Sequence, residues 1–359
     1  MTADPGLAGR TAEVEHLGRA LQAAASGVPC ALVAHCEAGV GKTHLVRETC
    51  RVSGLRVLWG SCVRFGSASV PFAPIAGAPR DWLDQAEPTE RDQVLAGLDD
   101  LSSLLPQLGG AETSDTGRLI PLVDLLLNRI AAATPTVLVV DDLQWADMAS
   151  LDVLAYLIAG FRDQRLAVVT TCRDEDRGEG HPLHGWLADL RRMPFFEELR
   201  LKRLDLEDTG TQIANLLHRP KDLELAARVQ ELSDGNPYLT ELLIRDLPSP
   251  QAFPATVPDA LRETLLSTWH RLSDESRQLT RILAVSGRPT PVALLRRVAA
   301  EHGVDANRVT GCLVEAEVGG VIQSAPDGSP WFRHPLLAEV LYDDVWAAPI
   351  HATYVRVLE

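Results

Sequence analysis

The feature that most constrains the fold is a short glycine-containing loop between an apolar run and a helical segment. The run Cys30–Ala34 leads into Cys36-Glu37-Ala38-Gly39-Val40-Gly41-Lys42-Thr43, and a helix is predicted from His44 to Arg51. A Gly-x-x-x-x-Gly-Lys-Thr loop in this strand–loop–helix context surrounds phosphate oxygens with backbone N–H groups and a helix N-terminus. Lys42 neutralises the β- and γ-phosphates, and the Thr43 hydroxyl is a ligand for Mg²⁺. The residues predicted to bind the nucleotide here are Glu37, Ala38, Gly39, Val40, Gly41, Lys42, Thr43 and His44.

The loop departs from the consensus at its first position, where Cys36 replaces glycine. A small residue with negative φ fits this bend. We therefore expect the loop to accommodate Cys36 less well than glycine, but we do not expect the site to be inactive. The alternative interpretation is that Gly-x-Gly-Lys-Thr is a chance turn before a helix. The whole chain contains only three lysines, Lys42, Lys202 and Lys221, which argues against a chance lysine at this position.

A second motif follows about a hundred residues downstream, where Thr136–Val140 ends in Asp141 and Asp142. The continuous β-branched run favours a strand buried on both faces. Its carboxyl end then presents Asp141 to Mg²⁺, while Asp142 orients or polarises the attacking water. The alternative is that these residues form an ordinary acidic turn between a strand and a loop. The presence of the phosphate loop at this spacing makes that alternative less favoured.

The residues after these two motifs suggest further roles. Arg173 ends the next apolar run, from which a guanidinium can sense the γ-phosphate; a surface salt bridge with Asp174 or Asp176 is the alternative. Trp145 is interpreted as a packing residue and Asp147 as the cap of a helix beginning near Ser150. His181 and His184 are predicted to lie in a surface loop and not to form a metal pair.

Strand-like and helical segments alternate in the first half of the chain, which predicts a parallel α/β sheet. Helices dominate after residue 204, and a Pro-rich break at 247–254 resembles a linker. Three helices and a hairpin then follow in the order of a winged helix. We therefore expect a nucleotide-binding domain at 1–204, a helical lid at 205–254 and a winged-helix domain at 255–359. The predicted strands are Cys30–Ala34, Leu55–Trp59, Thr136–Val140, Leu166–Thr171 and Phe196–Leu201, with a hairpin formed by Val321–Ser324 and Trp331–Arg333.

Composition narrows the classes of partner. The chain of 359 residues has 34 Lys and Arg against 49 Asp and Glu, a net charge of −15. Such a surface repels nucleic-acid phosphates, so no direct nucleic-acid binding is expected. No apolar run is long enough to span a membrane, and no secretory signal is evident, which predicts a cytoplasmic protein. The six scattered cysteines are expected to be reduced and buried.

The ordered set of motifs resembles a known family. It comprises Leu7-Ala8-Gly9-Arg10, the phosphate loop, Val140–Asp147, Thr171-Cys172-Arg173, Asp234-Gly235-Asn236-Pro237 and Phe332-Arg333-His334-Pro335-Leu336. Over nearly its whole length the chain is similar to the N-terminal ATPase region of the large ATP-binding regulators of the LuxR family. Those proteins are signal-transduction ATPases of the STAND class, within the AAA+ superfamily.

The resemblance implies a role for each matching residue. Arg10 would contact the adenine, Asp141 and Asp142 would be the Walker B pair, and Arg173 would occupy the sensor 1 position. Pro237 would pack on the base from the lid. His334 would touch the β-phosphate of ADP, although a core histidine is an equal alternative. Because members of the family continue into helical repeats and a DNA-binding helix-turn-helix, we expect this chain to be a fragment.

These inferences predict a nucleotide-controlled switch that binds ATP or ADP with Mg²⁺ and hydrolyses ATP slowly. An unknown inducer or signalling protein would act on it, and nucleotide-dependent self-association is possible for this class. The first alternative is an initiator-like AAA+ ATPase that binds duplex DNA through its own winged helix. The second is a kinase that uses the same loop, for which the sequence offers no recognisable acceptor pocket.

Overall fold

The computed structural model describes residues 7–62, 71–103, 116–178, 180–245, 259–325 and 328–358. The chain divides into two units, Met1–Lys202 and Arg203–Glu359. Each unit has its own hydrophobic core, so each is described by itself.

Apolar runs of the first unit form one parallel sheet, as the alternating pattern predicts. Its strands are β1 (Cys30–Cys36), β2 (Arg56–Ser61), β3 (Thr136–Asp141), β4 (Leu166–Arg173) and β5 (Phe196–Arg200). Their order across the sheet is β2-β3-β4-β1-β5, with every neighbouring pair parallel. β4 thus lies between the two strands that lead into the glycine-containing loop and the acidic pair. Because all carboxyl ends share one edge, both motifs reach the same side of the sheet.

Two apolar cores cover the two faces of this sheet. Along β3, Val137 and Val139 point into one core, while Leu138 and Val140 point into the other. This alternation with a period of two explains why the run is apolar at every position. The prediction of a strand buried on both faces is confirmed.

Helices pack on both faces of the sheet. α1 and α2 line one core, and α6, α7 and α8 line the other. The helices of the first unit are α1 (Thr11–Ala25), α2 (Lys42–Val52), α3 (Ala73–Gly77), α4 (Arg80–Gln85), α5 (Pro88–Leu95), α6 (Thr116–Ala133), α7 (Met148–Ala159) and α8 (Pro182–Leu190). α3 approaches β2 so closely that a Cβ on Gly60 would lie 2.0 Å from the Pro74 carbonyl oxygen. Only glycine fits at position 60.

The described part of the second unit is helical apart from one short hairpin. Its helices are α9 (Leu206–Leu217), α10 (Leu223–Ser233), α11 (Pro237–Ile244), α12 (Asp259–Trp269), α13 (Asp274–Val285), α14 (Val292–Glu301), α15 (Val309–Val318), α16 (Pro335–Asp343) and α17 (Ala347–Leu358). β6 (Ile322–Ser324) and β7 (Pro330–Phe332) pair antiparallel, so a hairpin follows the three helices α13 to α15, in the order that the sequence predicts. No helix in the described ranges has the length and apolar character needed to cross a membrane.

Some expectations need correction. The prediction that His184 lies in a surface loop is wrong, because α8 begins at Pro182 and includes it. His181 caps this helix by accepting a hydrogen bond from the Leu183 N–H, and Pro182 fits the first helical position. The predicted linker at 247–254 falls outside the described residues.

Candidate nucleotide-binding site

The loop between β1 and α2 is shaped by two glycines with left-handed backbone. Gly39 has a φ of 81° and Gly41 a φ of 99°, values that L side chains rarely adopt. A Cβ built on Gly41 would meet no atom within 4 Å, so the loop leaves open space above this residue. Gly41 is also the N-cap of α2 and supplies no side-chain cap. The first N–H groups of α2 are therefore available to an anion.

Lys42 is held beneath the loop and is almost fully buried. Its Nζ donates hydrogen bonds to the carbonyl oxygens of Cys36 at 3.0 Å and Glu37 at 2.8 Å. The Cys36 Sγ lies 3.5 Å from the same nitrogen. Burial raises the pKa of the Cys36 thiol to about 11, although Lys42 opposes the rise. Cys36 is therefore neutral at pH 7 and adds no negative charge to the loop.

Thr43 and Asp141 join the two motifs. The Thr43 Oγ1 donates to Asp141 Oδ1 at 3.0 Å, although 98 residues separate them in sequence. The same carboxylate oxygen accepts a hydrogen bond from Thr171 Oγ1 at 2.6 Å. Burial raises the pKa of Asp141, partly offset by the hydrogen bond from Thr171. A buried carboxylate beside a hydroxyl is an oxygen donor set that suits a hard divalent cation.

Asp142 is fixed by its backbone and by its neighbour. Its φ of 59° and ψ of 48° are left-handed, which is uncommon for a residue with a side chain. The Asp142 N–H donates to Thr171 Oγ1 at 2.9 Å, and Gln144 Nε2 donates to Asp142 Oδ1 at 2.9 Å. The strained conformation is thus held from both ends.

Arg173 ends β4 directly opposite Cys36 in the register of β1, so it reaches the same edge as the loop. Its guanidinium carbon lies 5.9 Å from the centre of the Trp145 ring, within the range of a cation–π contact. Trp145 itself packs against one of the two cores of the sheet, as predicted.

Asp147 caps α7, also as predicted. Its carboxylate accepts from the Ser150 N–H at 2.9 Å and from the Ser150 hydroxyl at 2.5 Å. It also accepts from the N–H of Phe72 at 3.2 Å, and Phe72 has a left-handed φ of 60°. Asp147 therefore stabilises the backbone before α3 as well as its own helix.

Arg10 contacts the phosphate loop through its side chain. Its guanidinium donates to the carbonyl oxygens of Val40 at 2.9 Å and Lys202 at 2.7 Å, and only 4% of the residue is exposed. The side chain thus braces the phosphate loop against the chain segment after β5. Its expected contact with adenine stays a prediction.

A network of charges lies one residue before the loop. His35 Nδ1 is 2.7 Å from Asp174 Oδ1, and His35 Nε2 is 3.3 Å from Glu198 Oε2. Arg177 bonds to Glu198 at 2.6 Å. Burial tends to raise the pKa of Asp174, but His35 and Arg177 hold it below the ordinary value. This network connects β1 and β5 with the segment that follows β4.

Two predicted nucleotide contacts belong to the second unit. Pro237 is the first residue of α11, whose N-cap Asn236 accepts from the N–H groups of Tyr238 and Leu239. His334 occupies the N-cap position of α16. Gly235 has a φ of 72°, and a Cβ there would lie 2.0 Å from the Leu204 carbonyl oxygen. The Asp-Gly-Asn-Pro motif therefore has a structural explanation, and the nucleotide contacts of Pro237 and His334 stay predictions.

Of the predicted site residues, the structure brings together those in and beside the loop, the acidic pair and Arg173. Among the described residues no cluster of three His, Cys, Asp or Glu side chains could hold a metal by itself. Mg²⁺ rarely needs such a cluster, because one carboxylate and the substrate phosphates complete its coordination. Thr43 and Asp141 fit that requirement. The residues that sequence reasoning missed are Thr171, Gln144 and His35, of which only Thr171 had a signal: a hydroxyl near the end of an apolar strand.

Comparisons with known proteins agree with this geometry. Residues 6–170 match the protein family described as the AAA ATPase domain, AAA_16. Among curated proteins no sequence matches the chain. A Walker-type ATPase of Pyrococcus abyssi has a similar structure, with a TM-score of 0.60 and 15% sequence identity, over 93% of this chain and 96% of that one. At this identity the likeness shows the fold alone.

Two more distant structures are a STAND protein with a tetratricopeptide repeat sensor from Pyrococcus horikoshii and the ORC1 protein of Aeropyrum pernix in complex with DNA. The first has a TM-score of 0.43 and 16% identity over 98% of this chain and 45% of that chain. The second has a TM-score of 0.45 and 14% identity over 97% and 95%. The sheet, the loop and the family match together give the first unit the P-loop NTPase fold, and the sequence of residues 6–170 is similar to the AAA ATPase domain.

Proposed function

We propose that this protein is an ATP- and ADP-dependent molecular switch that hydrolyses ATP slowly with Mg²⁺. The observation that carries the proposal is the hydrogen bond between Thr43 and Asp141 at the uncapped N-terminus of α2. It joins a phosphate-binding loop to an acidic strand end. That combination has one common use in parallel sheets, the binding of a nucleoside triphosphate with its metal.

Each residue at this edge has a defined task. The N–H groups around Gly41 and the ammonium of Lys42 bind the phosphates. Lys42 carries three N–H donors, and two of them donate to carbonyl oxygens. The third faces the Cys36 sulfur at 3.5 Å, and a phosphate oxygen would accept a shorter and stronger hydrogen bond. Thr43 and Asp141 would hold Mg²⁺, which when bound neutralises phosphate charge and polarises the terminal phosphoryl group.

Asp142 and Arg173 are proposed to act on the hydrolytic step. Asp142 orients the attacking water, and Arg173, supported by the ring of Trp145, binds the γ-phosphate oxygens. One oxygen of the Asp142 carboxylate is already engaged by Gln144. In this proposal the second oxygen of that carboxylate is the one that orients the water.

We further propose that the chain is the regulatory part of a LuxR-type transcription activator. In this proposal residues 205–254 are the lid and 255–359 the winged helix, with Pro237 packing on the base and His334 reaching the β-phosphate. Exchange of ADP for ATP would change contacts contributed by more than one domain, so bound nucleotide would select the conformation. The activating ligand would be an inducer or signalling protein, and self-association would follow ATP binding.

Duplex DNA binding by the second unit has less support. α15, which would be the recognition helix, carries Glu315 and Glu317. Glu315 also accepts hydrogen bonds from Ser273 and Ser276, so its carboxylate stabilises the start of α13. A helix that presents acidic side chains is repelled by phosphates, in keeping with the net charge of −15.

The test is to identify nucleotide released from the purified protein by mass spectrometry and to measure ATP and ADP affinity by calorimetry. A Lys42→Ala variant removes the ammonium beneath the loop, and Lys221→Ala, which changes a surface lysine, is the matched control. We expect copurified ADP in the unsubstituted protein and in Lys221→Ala but not in Lys42→Ala. If neither nucleotide is found and neither binds, the proposal is wrong. Salt-sensitive, submicromolar binding to duplex DNA would favour the initiator-like alternative.

A further inference from the structure

The hydroxyl of Thr171 contacts both members of the acidic pair. Its Oγ1 donates to Asp141 Oδ1 at 2.6 Å and accepts from the Asp142 N–H at 2.9 Å. The first distance is that of a strong hydrogen bond to an ionised carboxylate. Thr171 is completely buried, so water cannot replace either bond.

The preceding residue provides a contrast. Thr170 is 1% exposed, lies on the same strand and has the same side chain, but successive residues of a strand point to opposite faces. Its Oγ1 finds no hydrogen-bond partner within the described part of the chain. Of two adjacent buried threonines, only Thr171 is connected to the site.

We propose that Thr171 is a positioning residue that holds Asp141 and Asp142 in the arrangement needed to bind the metal–nucleotide complex and to orient water. The inference rests on the proposed function and gives a role to Thr171, which the motif Thr171-Cys172-Arg173 contains but to which the sequence assigned none. One hydroxyl fixes the rotamer of Asp141 through its carboxylate and the left-handed backbone of Asp142 through its N–H. Gln144 then completes the fixation of Asp142.

The geometry shows why a hydroxyl is needed at this position. Thr43 and Thr171 donate to the same oxygen, Oδ1 of Asp141. If the Thr43 hydroxyl turns a lone pair toward a cation, Thr171 still holds the carboxylate from the other side. Without Thr171, Asp141 keeps only the hydrogen bond from Thr43, and the Asp142 N–H loses its acceptor, so the strained turn relaxes. Residues that orient a ligand in this way typically change metal affinity or activity by roughly 10–100-fold when removed.

The experiment compares Thr171→Val, which keeps the branched shape but lacks the hydroxyl, with Thr171→Ser, which keeps the hydroxyl. Thr170→Val makes the same change at the adjacent position and is the matched control. Binding of a non-hydrolysable ATP analogue is measured by calorimetry over a series of Mg²⁺ concentrations. Unfolding temperature without nucleotide and ATP turnover at saturating Mg²⁺ are measured on the same proteins.

We expect Thr171→Val to need roughly tenfold more Mg²⁺ for half-maximal binding and to turn over ATP more slowly even at saturation. Thr171→Ser should restore both values, and Thr170→Val should leave both unchanged. An unchanged Mg²⁺ requirement in Thr171→Val overturns the inference. So does an equal loss in Thr170→Val, which would mean that any change in this strand disturbs the site.

Two further outcomes are separable. If Thr171→Val does not fold, Thr171→Ala takes its place, with the same rise in Mg²⁺ requirement expected. If the unsubstituted protein binds no nucleotide at any Mg²⁺ concentration, the proposed function fails first and the role of Thr171 fails with it. If the unsubstituted protein binds and the variants behave alike, only the role of Thr171 is wrong.

Discussion

The two units bury polar side chains for different purposes. In the described part of the first unit the buried residues of the basic and acidic types are Arg10, His35, Lys42 and Asp141. In the described part of the second unit the buried polar residues are serines, threonines and one asparagine: Thr209, Ser233, Asn236, Thr240, Ser276, Thr280, Thr290, Ser329 and Thr353. Both sets are hydrogen-bonded in large part to nearby groups, but only the first includes charged groups removed from water.

This difference separates function from stability. A buried charge costs folding free energy unless its partners compensate fully, whereas a buried hydroxyl that caps a helix stabilises it. The charges of the first unit concentrate at one edge of its sheet, where the loop and the acidic pair meet. The hydroxyls of the second unit are distributed among its helix ends and helix contacts. We infer that the first unit gives up stability for binding, while the second does not.

The strongest test is Asp141→Asn. The amide keeps an oxygen that can accept from Thr43 and Thr171 but lacks the charge, so we expect ATP turnover to fall on the order of 10²-fold or more. Burial raises the pKa of Asp141, which means that ionisation at pH 7 costs the folded state stability. The free energy of unfolding without nucleotide should therefore rise. Turnover and denaturant unfolding at pH 7 measure the two effects, with the exposed Asp152→Asn as control. If Asp141→Asn is less stable than the unsubstituted protein, the inference that the first unit gives up stability for binding is wrong.

The next largest effect is expected from Thr280→Val in the second unit. Thr280 Oγ1 accepts from the buried Trp269 Nε1 at 2.9 Å. Loss of that acceptor leaves the indole N–H unpaired and should cost about 1–3 kcal/mol of unfolding free energy. Nucleotide affinity of the folded protein should not change. A change in affinity without a change in stability would contradict the division of roles.

A smaller effect is expected from Asp147→Ala, a helix cap in the first unit. Loss of a cap of this kind typically costs about 1 kcal/mol. The N–H of Phe72 also loses its acceptor. The decrease in the free energy of unfolding should therefore be at the upper end of the range for loss of a single helix cap. Denaturant unfolding measures it. A decrease no larger than that for the cap Asp222→Ala in the second unit would show that the contact with Phe72 adds nothing.

The smallest effect concerns pH. Burial works against ionisation of Glu198, but Arg191 and Arg177 hold its pKa below the ordinary value. Such a carboxylate stabilises the folded protein above its unfolded-state pKa, and this contribution is lost as pH falls through the lowered value. Below about pH 5 the unfolding free energy of Glu198→Gln should therefore fall less steeply than that of the unsubstituted protein. Glu231→Gln, an exposed residue of α10, should follow the unsubstituted protein.

The sequence predicted the sheet well, and the two motifs that it singled out lie together in the structure. The strand predicted at Thr136–Val140 is observed as Thr136–Asp141, and the two motifs meet at Thr43 and Asp141. Both results follow from local signals: a continuous apolar run, and a loop whose chemistry requires fixed spacing. The short helices α3 to α5 were missed because prolines such as Pro74, Pro79 and Pro88 divide the segment before a helical period can develop.

The rest of the site depends on pairings that a single sequence does not contain. Thr171 acts through the register of β4 beside β3, and Arg10 acts through carbonyl groups, which every residue has. Aspartate adopts the left-handed conformation more readily than most residues, but this preference does not single out Asp142 among the aspartates of the chain. Pro237 and His334 belong to the second unit, and their predicted contacts with nucleotide depend on how domains meet.

The position of Arg10 sets a rule for dissecting the molecule. Arg10 lies near the start of the first unit, and its guanidinium bonds to the backbone oxygen of Lys202 at the end of that unit as well as to that of Val40. Trimming the polypeptide past residue 10 leaves the Val40 carbonyl of the phosphate loop without its donor, and ending it before residue 202 removes one of the two backbone acceptors of Arg10. A minimal fragment for crystallography or kinetics should therefore keep both ends, even though the family match itself ends at residue 170.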